Sequence, residues 1–476
     1  SVLIDGSTFT NYGTYNVGDA SSVEGYFTQD AAGTLTFNFG TSTLPRLTVQ
    51  YDTNLYGTVR PIVSGWLLPI ANAVIAPGPG AAVYNYYAAT PSTPIFGWNY
   101  AQPEPFGTFY MTPFATFASA AGGLDANEQS AAAYLQGQWN AANPNLAGFF
   151  AALYSGIDTP AAYQTMLDDL LPAASQTFAT QLSDVSGSIL GAAMSCPAFE
   201  GTSTLIGEGT CVWAKGGGGV INRYDTGGSV SSWATGAGGQ KEIGGGWAVG
   251  GMLGTDVSRA SGGSASGTGT SYYGSLALKR VDGPWTLALG VAGAVGTSEI
   301  DRHVETDGLT VSSESTSYLI GARARAAYDV AFDRFYVRPM IDLDVYHLYT
   351  PGYVEEGASA FALSVDASHH TGVTVSPAVE VGFRRDVDAQ TILRGFFSIG
   401  ASATPTPDRV IDASLVLAGS PDRFSTEIET PAVVGTLTAG LQLYQDSGWD
   451  VRGETQLRAG DDFLSVGGQL RLSYRF

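Results

Sequence analysis

The sequence predicts an all-β chain with a short helical linker: a parallel β-helix stem, a helical segment, then a twelve-stranded antiparallel transmembrane β-barrel. Three observations predict this. Glycine is abundant, 62 of 476 residues, without a G-X-Y period. That excludes collagen and disfavours helical folds, since an interior Gly costs about 1 kcal/mol in a helix. Short β-type segments recur through residues 1–117, and long alternating strands fill residues 201–476.

The charge balance narrows the function classes. The net charge is −21, from 22 Lys+Arg against 43 Asp+Glu. So acidic a chain cannot neutralise phosphates with clustered cations, which argues against nucleic-acid binding. Hydrophobic residues make up 44%, ample for a core. The sequence has no run of 18 apolar residues, so no transmembrane helix is expected, and a β-barrel carries a weaker signal per segment. It opens on Ser1-Val-Leu-Ile-Asp5 without a signal peptide, as a mature or truncated product would.

In residues 1–117 the segments Thr14–Val17, Gly25–Thr28, Thr34–Phe39, Arg46–Tyr51 and Asn54–Val59 start about ten residues apart. Even spacing suits a β-solenoid whose coils stack on one another. A β-sandwich gives similar spacing, but the short connections and poor alternation favour the solenoid. The stretch 69–113 is rich in Pro and aromatics and gives no clear pattern.

Residues 118–200 turn to Ala, Leu, Gln and Ser. Asp125 and Glu128 form a capping-box pattern before Ala131–Trp139. Leu146, Phe149, Phe150 and Leu153 keep helical spacing, and Thr159-Pro160 is a helix start. A last helix is expected over 175–194, with an apolar stripe of Phe178, Leu182, Val185 and Ile189 opposite a small polar face that includes Asp184.

From residue 201 the strand cores are 211–222, 229–241, 246–258, 270–281, 285–299, 312–329, 335–348, 371–385, 391–402, 425–444, 449–459 and 464–476. Connections alternate between tight turns and longer Gly-, Ser-, Asp- or Pro-rich loops, among them 259–269, 300–311, 349–370 and 403–424. This is the outer-membrane barrel pattern. Alternation within strands assigns the two faces. Arg323 and Arg325 share a face, as do Arg338, Asp342 and Asp344, Glu380 and Arg384, and Arg452, Glu454 and Arg458. In the last strand Arg471 lies opposite the face carrying Leu470, Leu472, Tyr474 and Phe476. An apolar face can meet lipid only if the sheet closes, which makes the charged face the lining of a lumen.

Other chemistry is thin. Cys196 and Cys211, 15 positions apart without further ligands nearby, read as a disulfide of an oxidising compartment, not as a metal site. The adjacent His369 and His370 cannot point to one site in a regular strand. The glycine runs at 216–219 and 236–246 lie in strand patterns and not in a phosphate loop. No catalytic residue, metal ligand or cofactor site is expected.

Taken together, the chain resembles a classical monomeric autotransporter (type Va secretion) over its whole length. The resemblance rests on Cys211-Val-Trp213-Ala-Lys215-Gly216 at the first strand, on Trp247–Gly254 followed by Tyr272–Leu278, and on the terminal strand ending in Phe476. It implies a translocator barrel (201–476) that secretes its own passenger and anchors it at the bacterial cell surface, a passenger stem with an autochaperone-like end (1–117), and a helical linker (118–200) whose helix 175–194 stays in the lumen. It implies outer-membrane lipid, the barrel-assembly machinery, periplasmic chaperones and the passenger as partners, a monomeric barrel, and a terminal-strand assembly signal at Leu470, Leu472, Tyr474 and Phe476.

A helix of about 10–12 Å suits twelve strands, between filled eight-stranded and water-filled sixteen-stranded barrels. Close passage is expected along the glycine-rich first strand. Some family members cut the passenger at an Asn-Asn pair in the pore helix, but no Asn lies between Asn145 and Asn222. For Asp184, which sits where another subgroup uses acids to cut, a polar contact with a lumen Arg is the plainer reading. A porin or channel, or an outer-membrane-anchored hydrolase or adhesin, is the alternative function. Asp5-Gly6-Ser7 is faintly similar to the start of esterase passengers but lacks the rest of a triad.

Overall fold

The computed structural model describes residues 6–18, 20–40, 46–86, 90–102, 106–171, 187–191, 193–194, 196–199, 206–224, 227–405 and 408–476. Its N-terminal part is a three-sided parallel solenoid. Thr8–Asn11, Tyr26–Gln29, Thr53–Leu55 and Val83–Asn85 stack in parallel on one side. Thr14–Val17, Thr34–Phe39 and Thr58–Val63 form the second side, and Ser21–Val23, Leu47–Val49 and Asn72–Pro77 the third. The ten-residue spacing in the sequence is therefore one side of a coil. Phe27, Leu35, Phe37, Leu47, Val49 and Leu55 fill its axis. The stretch without a clear pattern holds an antiparallel hairpin, Phe96–Ala101 with Phe109–Ala115, which pairs with Asn72–Pro77.

Among the described residues up to 171, three α-helices follow: α1 (Ala126–Asn140), α2 (Ala147–Gly156) and α3 (Pro160–Asp168). Asp125 and Glu128 close the capping box of α1, and the Thr159 hydroxyl caps α3. The helices pack on the stem through Phe96 against Trp139, 5.3 Å between ring centroids, and through Tyr163, whose hydroxyl donates to the Phe117 carbonyl at 2.7 Å.

The barrel strands are β1 (Cys211–Arg223), β2 (Gly228–Gly244), β3 (Trp247–Gly262), β4 (Ala265–Asp282), β5 (Trp285–Val304), β6 (Leu309–Tyr328), β7 (Phe335–Thr350), β8 (Ser368–Asp386), β9 (Thr391–Ala403), β10 (Val433–Gln445), β11 (Trp449–Gly460) and β12 (Phe463–Arg475). Every neighbouring pair is antiparallel, and β1 closes on β12 from Cys211 opposite Arg475 to Arg223 opposite Phe463. Closure removes the edges that hydrocarbon would leave unpaired. The outer face exposes Leu253, Leu276, Leu289, Ile320, Leu441 and Leu470. Trp285 meets Tyr328 edge-on and Trp449 lies tilted against Tyr474 at the rim where β1 begins, as in an aromatic girdle.

The other rim differs from the sequence expectation. The loops expected at 259–269 and 300–311 are tight turns, because β3 to β6 run on to Gly262, Ala265, Val304 and Leu309. The 20 residues of β5, at about 3.3 Å per residue and a tilt near 40°, rise about 50 Å, twice an apolar band of about 25 Å. The upper half therefore stands clear of the lipid band. The strand expected over 425–444 is two strands, Phe424–Ile428 and β10. Pro431, which has no N–H, lies in the break between them.

The long connections fold into a small sheet of Tyr353–Val354, Leu363–Val365, Arg409–Leu415 and Phe424–Ile428. That sheet packs on α1. Tyr134 lies 5.4 Å from Phe424, Asn127 exchanges two hydrogen bonds with the Glu427 backbone, and the Leu415 N–H donates to the Tyr134 hydroxyl. One hydrophobic core thus runs from the stem through the helices into the barrel connections.

The barrel lumen as candidate functional site

Side-chain alternation aims every second residue inward, and antiparallel register sets opposite charges beside each other. On one wall Arg323 faces Asp344 and Arg325 faces Asp342 across β6 and β7. Arg323 donates to Asp344 from Nε at 2.6 Å and Nη2 at 2.7 Å, and Arg325 grips Asp342 through two bonds of 2.7 Å. Such forked pairs compensate charges that would be costly to bury alone. Arg338 is held by Asp329, in the break after β6.

A second network follows the other half of the wall. The Tyr336 hydroxyl donates to Glu380 at 2.6 Å, and Arg394 donates to the same carboxylate at 2.7 Å. Arg394 also donates to Gln442 at 3.0 Å, Gln442 to Asp450 at 2.9 Å, and Ser473 to Asp450 at 2.6 Å. This chain of bonds links β7 to β12. Arg452 pairs with Glu454, and its guanidinium lies 4.4 Å from the centroid of Phe396. Arg471 is 3.9 Å from Asp450, and Arg458 lies over Phe463. Arg384 sits apart, at the turn end of β8 beside exposed Asp386.

The lumen also takes in Tyr336, Arg394, Gln442, Asp450, Asp329, Lys215 and Lys279, none of which the sequence pattern assigned to the lumen. Residue parity could have found Arg394 and Gln442, which face each other in register between β9 and β10. Asp329 lies at a break in the strand, where parity gives no signal.

Of the expected pore-helix residues, Phe178, Leu182, Asp184 and Val185 lie outside the described residues. Ile189 belongs to a described helical turn, 187–191, inside the barrel. It is buried with Leu190 and Met194 among Met252, Tyr273, Ala288 and Ala292 of the wall. Gly187 and Gly191, one turn apart, let Arg323 lie against the helix backbone: a Cβ on Gly191 would stand 2.8 Å from Arg323 Nη1. On the wall, a Cβ on Gly290 would stand 2.5 Å from Met194 Cε and one on Gly250 2.7 Å from the Ala193 carbonyl. The wall glycines that meet this turn and the residues just after it are thus on β3, β5 and β6, where Gly321 faces Leu190. Gly217 and Gly218 of β1 crowd their strand neighbours instead.

Cys196 and Cys211 form a disulfide at the rim where β1 begins, with Cα atoms 6.2 Å apart. Leu470, Leu472, Tyr474 and Phe476 lie on the outer face, and β12 pairs on both sides, with β1 and β11. His369 stacks on Tyr349 outside the barrel, while the next residue, His370, turns inward against Tyr346.

The sequence matches the family model of the autotransporter β-domain over residues 212–456. The chain belongs to the autotransporter family. Among solved structures, the translocator domain of the autotransporter NalP from Neisseria meningitidis is 15% identical, with a TM-score of 0.51, covering 64% of this chain and all of that one. The β-domain of the Bordetella autotransporter BrkA is 15% identical over 56% of this chain and all of its own, with a TM-score of 0.44. The transport unit of AIDA-I from Escherichia coli is 9% identical over 64% of this chain and 99% of its own, with a TM-score of 0.40. NalP supports the fold alone. No protein of curated function matches the sequence.

Proposed function

We infer that this autotransporter barrel sits in the outer membrane, passes its own N-terminal part through the lumen, and then holds the stem at the cell surface. One observation carries the reading. Asp169 binds at one rim of the closed barrel, accepting from the Glu305 and Thr306 N–H groups, and Cys196 is tied to Cys211 at the other. The helical turn 187–191 lies inside the barrel between them.

In this reading the division of labour is stem 1–117, helical linker 118–200 with pore helix 175–194, and barrel 201–476. The paired charges of the lumen line the secretion route, and the helix occupies it once secretion ends. The terminal strand, through Leu470, Leu472, Tyr474 and Phe476, is the element that the barrel-assembly machinery recognises after periplasmic chaperones deliver the chain. The barrel works as a monomer, because its own strands close it.

The test is stem display by two chains, one complete and one ending before Phe463. The reading expects the stem at the surface only with the complete chain. Display by the truncated chain would refute it.

A further inference from the structure

We propose that the part of the lumen not taken by the helical turn is an anion site: a cation-lined passage that admits small inorganic anions such as chloride and phosphate. The proposal rests on the barrel being membrane-spanning, but not on its secreting the stem.

The lumen retains a cavity of about 660 Å³. Among the described residues, ten of its lining side chains are Lys or Arg and five are Asp or Glu, in a chain with 22 Lys+Arg against 43 Asp+Glu overall. Two more carboxylates, Asp329 and Asp450, reach Arg338 and Arg471, and cations still outnumber acids. The sign of the lumen is therefore opposite to that of the protein.

The two walls differ. Where the helical turn packs, each Arg is matched: Arg323 with Asp344 and Arg325 with Asp342. Away from it, the register places cations directly beside cations. Arg384 faces Arg394, Arg394 faces Gln442, Gln442 faces Arg452, Arg452 faces Arg471, and Arg471 faces Lys215. From Arg394 to Lys215 this row crosses five neighbouring strands with four cavity-lining cations and no carboxylate, and Arg384 extends it toward the turn end of β8.

Like charges set directly opposite destabilise a sheet. The row's acids lie off the row, and two of them are already shared: Glu380 with Tyr336, and Glu454 with Gln469. Lys215 makes no ion pair among the described residues, and buried Arg452 Nε has no hydrogen-bond partner there. Rings of Arg and Lys are the arrangement that selects anions in pores, and low-dielectric walls strengthen their field.

The experiment uses the complete protein in planar bilayers under a KCl gradient, reading the reversal potential. The proposal expects a chloride-to-potassium permeability ratio above unity, and a chloride current that falls on adding inorganic phosphate. Lys215→Gln, alone and with Arg471→Gln, should bring the ratio to unity or below and relieve the phosphate effect. Heat-modifiable migration on a gel checks that each variant folds; should the double variant fail, the single one and the wild-type ratio decide. A closed, non-selective or cation-selective wild-type barrel overturns the proposal, as does unchanged selectivity in folded variants. Stem display is scored separately, so failed selectivity with normal display refutes this inference and not the secretion reading.

Discussion

Replacing Arg302 with Met should loosen the helical unit from the barrel rim. Arg302 and Glu355 have side chains only 4% exposed. The guanidinium donates to both Glu355 oxygens, at 3.0 and 2.5 Å, to the Asp169 carbonyl at 2.5 Å and to the Phe361 carbonyl at 3.0 Å. It thereby ties β5, the residue after α3, and the loop sheet together. Methionine fills much of the volume but leaves Glu355 buried, with the Leu363 N–H as its remaining donor. Breaking one side of a buried pair costs about 3–5 kcal/mol. With every 1.4 kcal/mol worth about tenfold, local opening rises by roughly two to nearly four decades. Hydrogen exchange across Pro160–Asp168 reads this directly, against β1 and β12 as references that stay protected. Arg302→Met with Glu355→Gln should recover part of the loss, since no charge is then stranded. Unchanged exchange in the single variant would refute the claim that this pair latches helices to barrel.

Three further outcomes follow from the same structure. Mass spectrometry of the non-reduced protein should find Cys196 joined to Cys211, and Cys196→Ser with Cys211→Ser should lose about 3 kcal/mol in the chain-entropy model of a 15-residue loop; two free thiols in the wild type would reject it. Burial, with Glu128, Asp125, Asp169 and Glu305 nearby, pushes Asp168 up to about 6. Its contribution to the helical unit is therefore full below the usual carboxylate range and is lost as pH rises through about 6, so melting should be higher near pH 5 than near pH 7.5. Asp168 is desolvated only in part, and the residue as a whole is exposed, so screening holds the effect to about 0.5 kcal/mol or less, and Asp168→Asn should flatten it. Phe476→Ser should reduce barrel insertion and stem display; normal insertion with only lowered heat stability would leave Phe476 as a girdle residue beside Tyr474.

The barrel was legible because lipid imposes a strict period on each strand. Val451, Leu457, Leu470 and Leu472 face out, while Arg452, Glu454 and Arg471 face in. Above the lipid that constraint lapses. Ser266, Gly267 and Gly269 pair in β4 although none carries a large apolar side chain, so a composition that reads as loop forms strand. The loop sheet was illegible for a related reason: Phe424, Leu415 and Phe361 are apolar because α1 and α2 cover them, and those helices lie far away in sequence. In the lumen, parity located the Arg–Asp pairs, but the bonds among Tyr336, Arg394, Gln442 and Asp450 depend on register between strands. Gly187 and Gly191 signalled nothing until Arg323 was seen against them.

The orientation of the chain in the membrane is the central claim, and protease access on intact cells tests it most directly. A cleavage site inserted in the stem turn at Ser64-Gly65 should be cut on intact cells. The same site in the tight turn 446–448, between β10 and β11, should be cut only after the outer membrane is opened. A protected stem, or a turn at 446–448 cut on intact cells, would contradict the account.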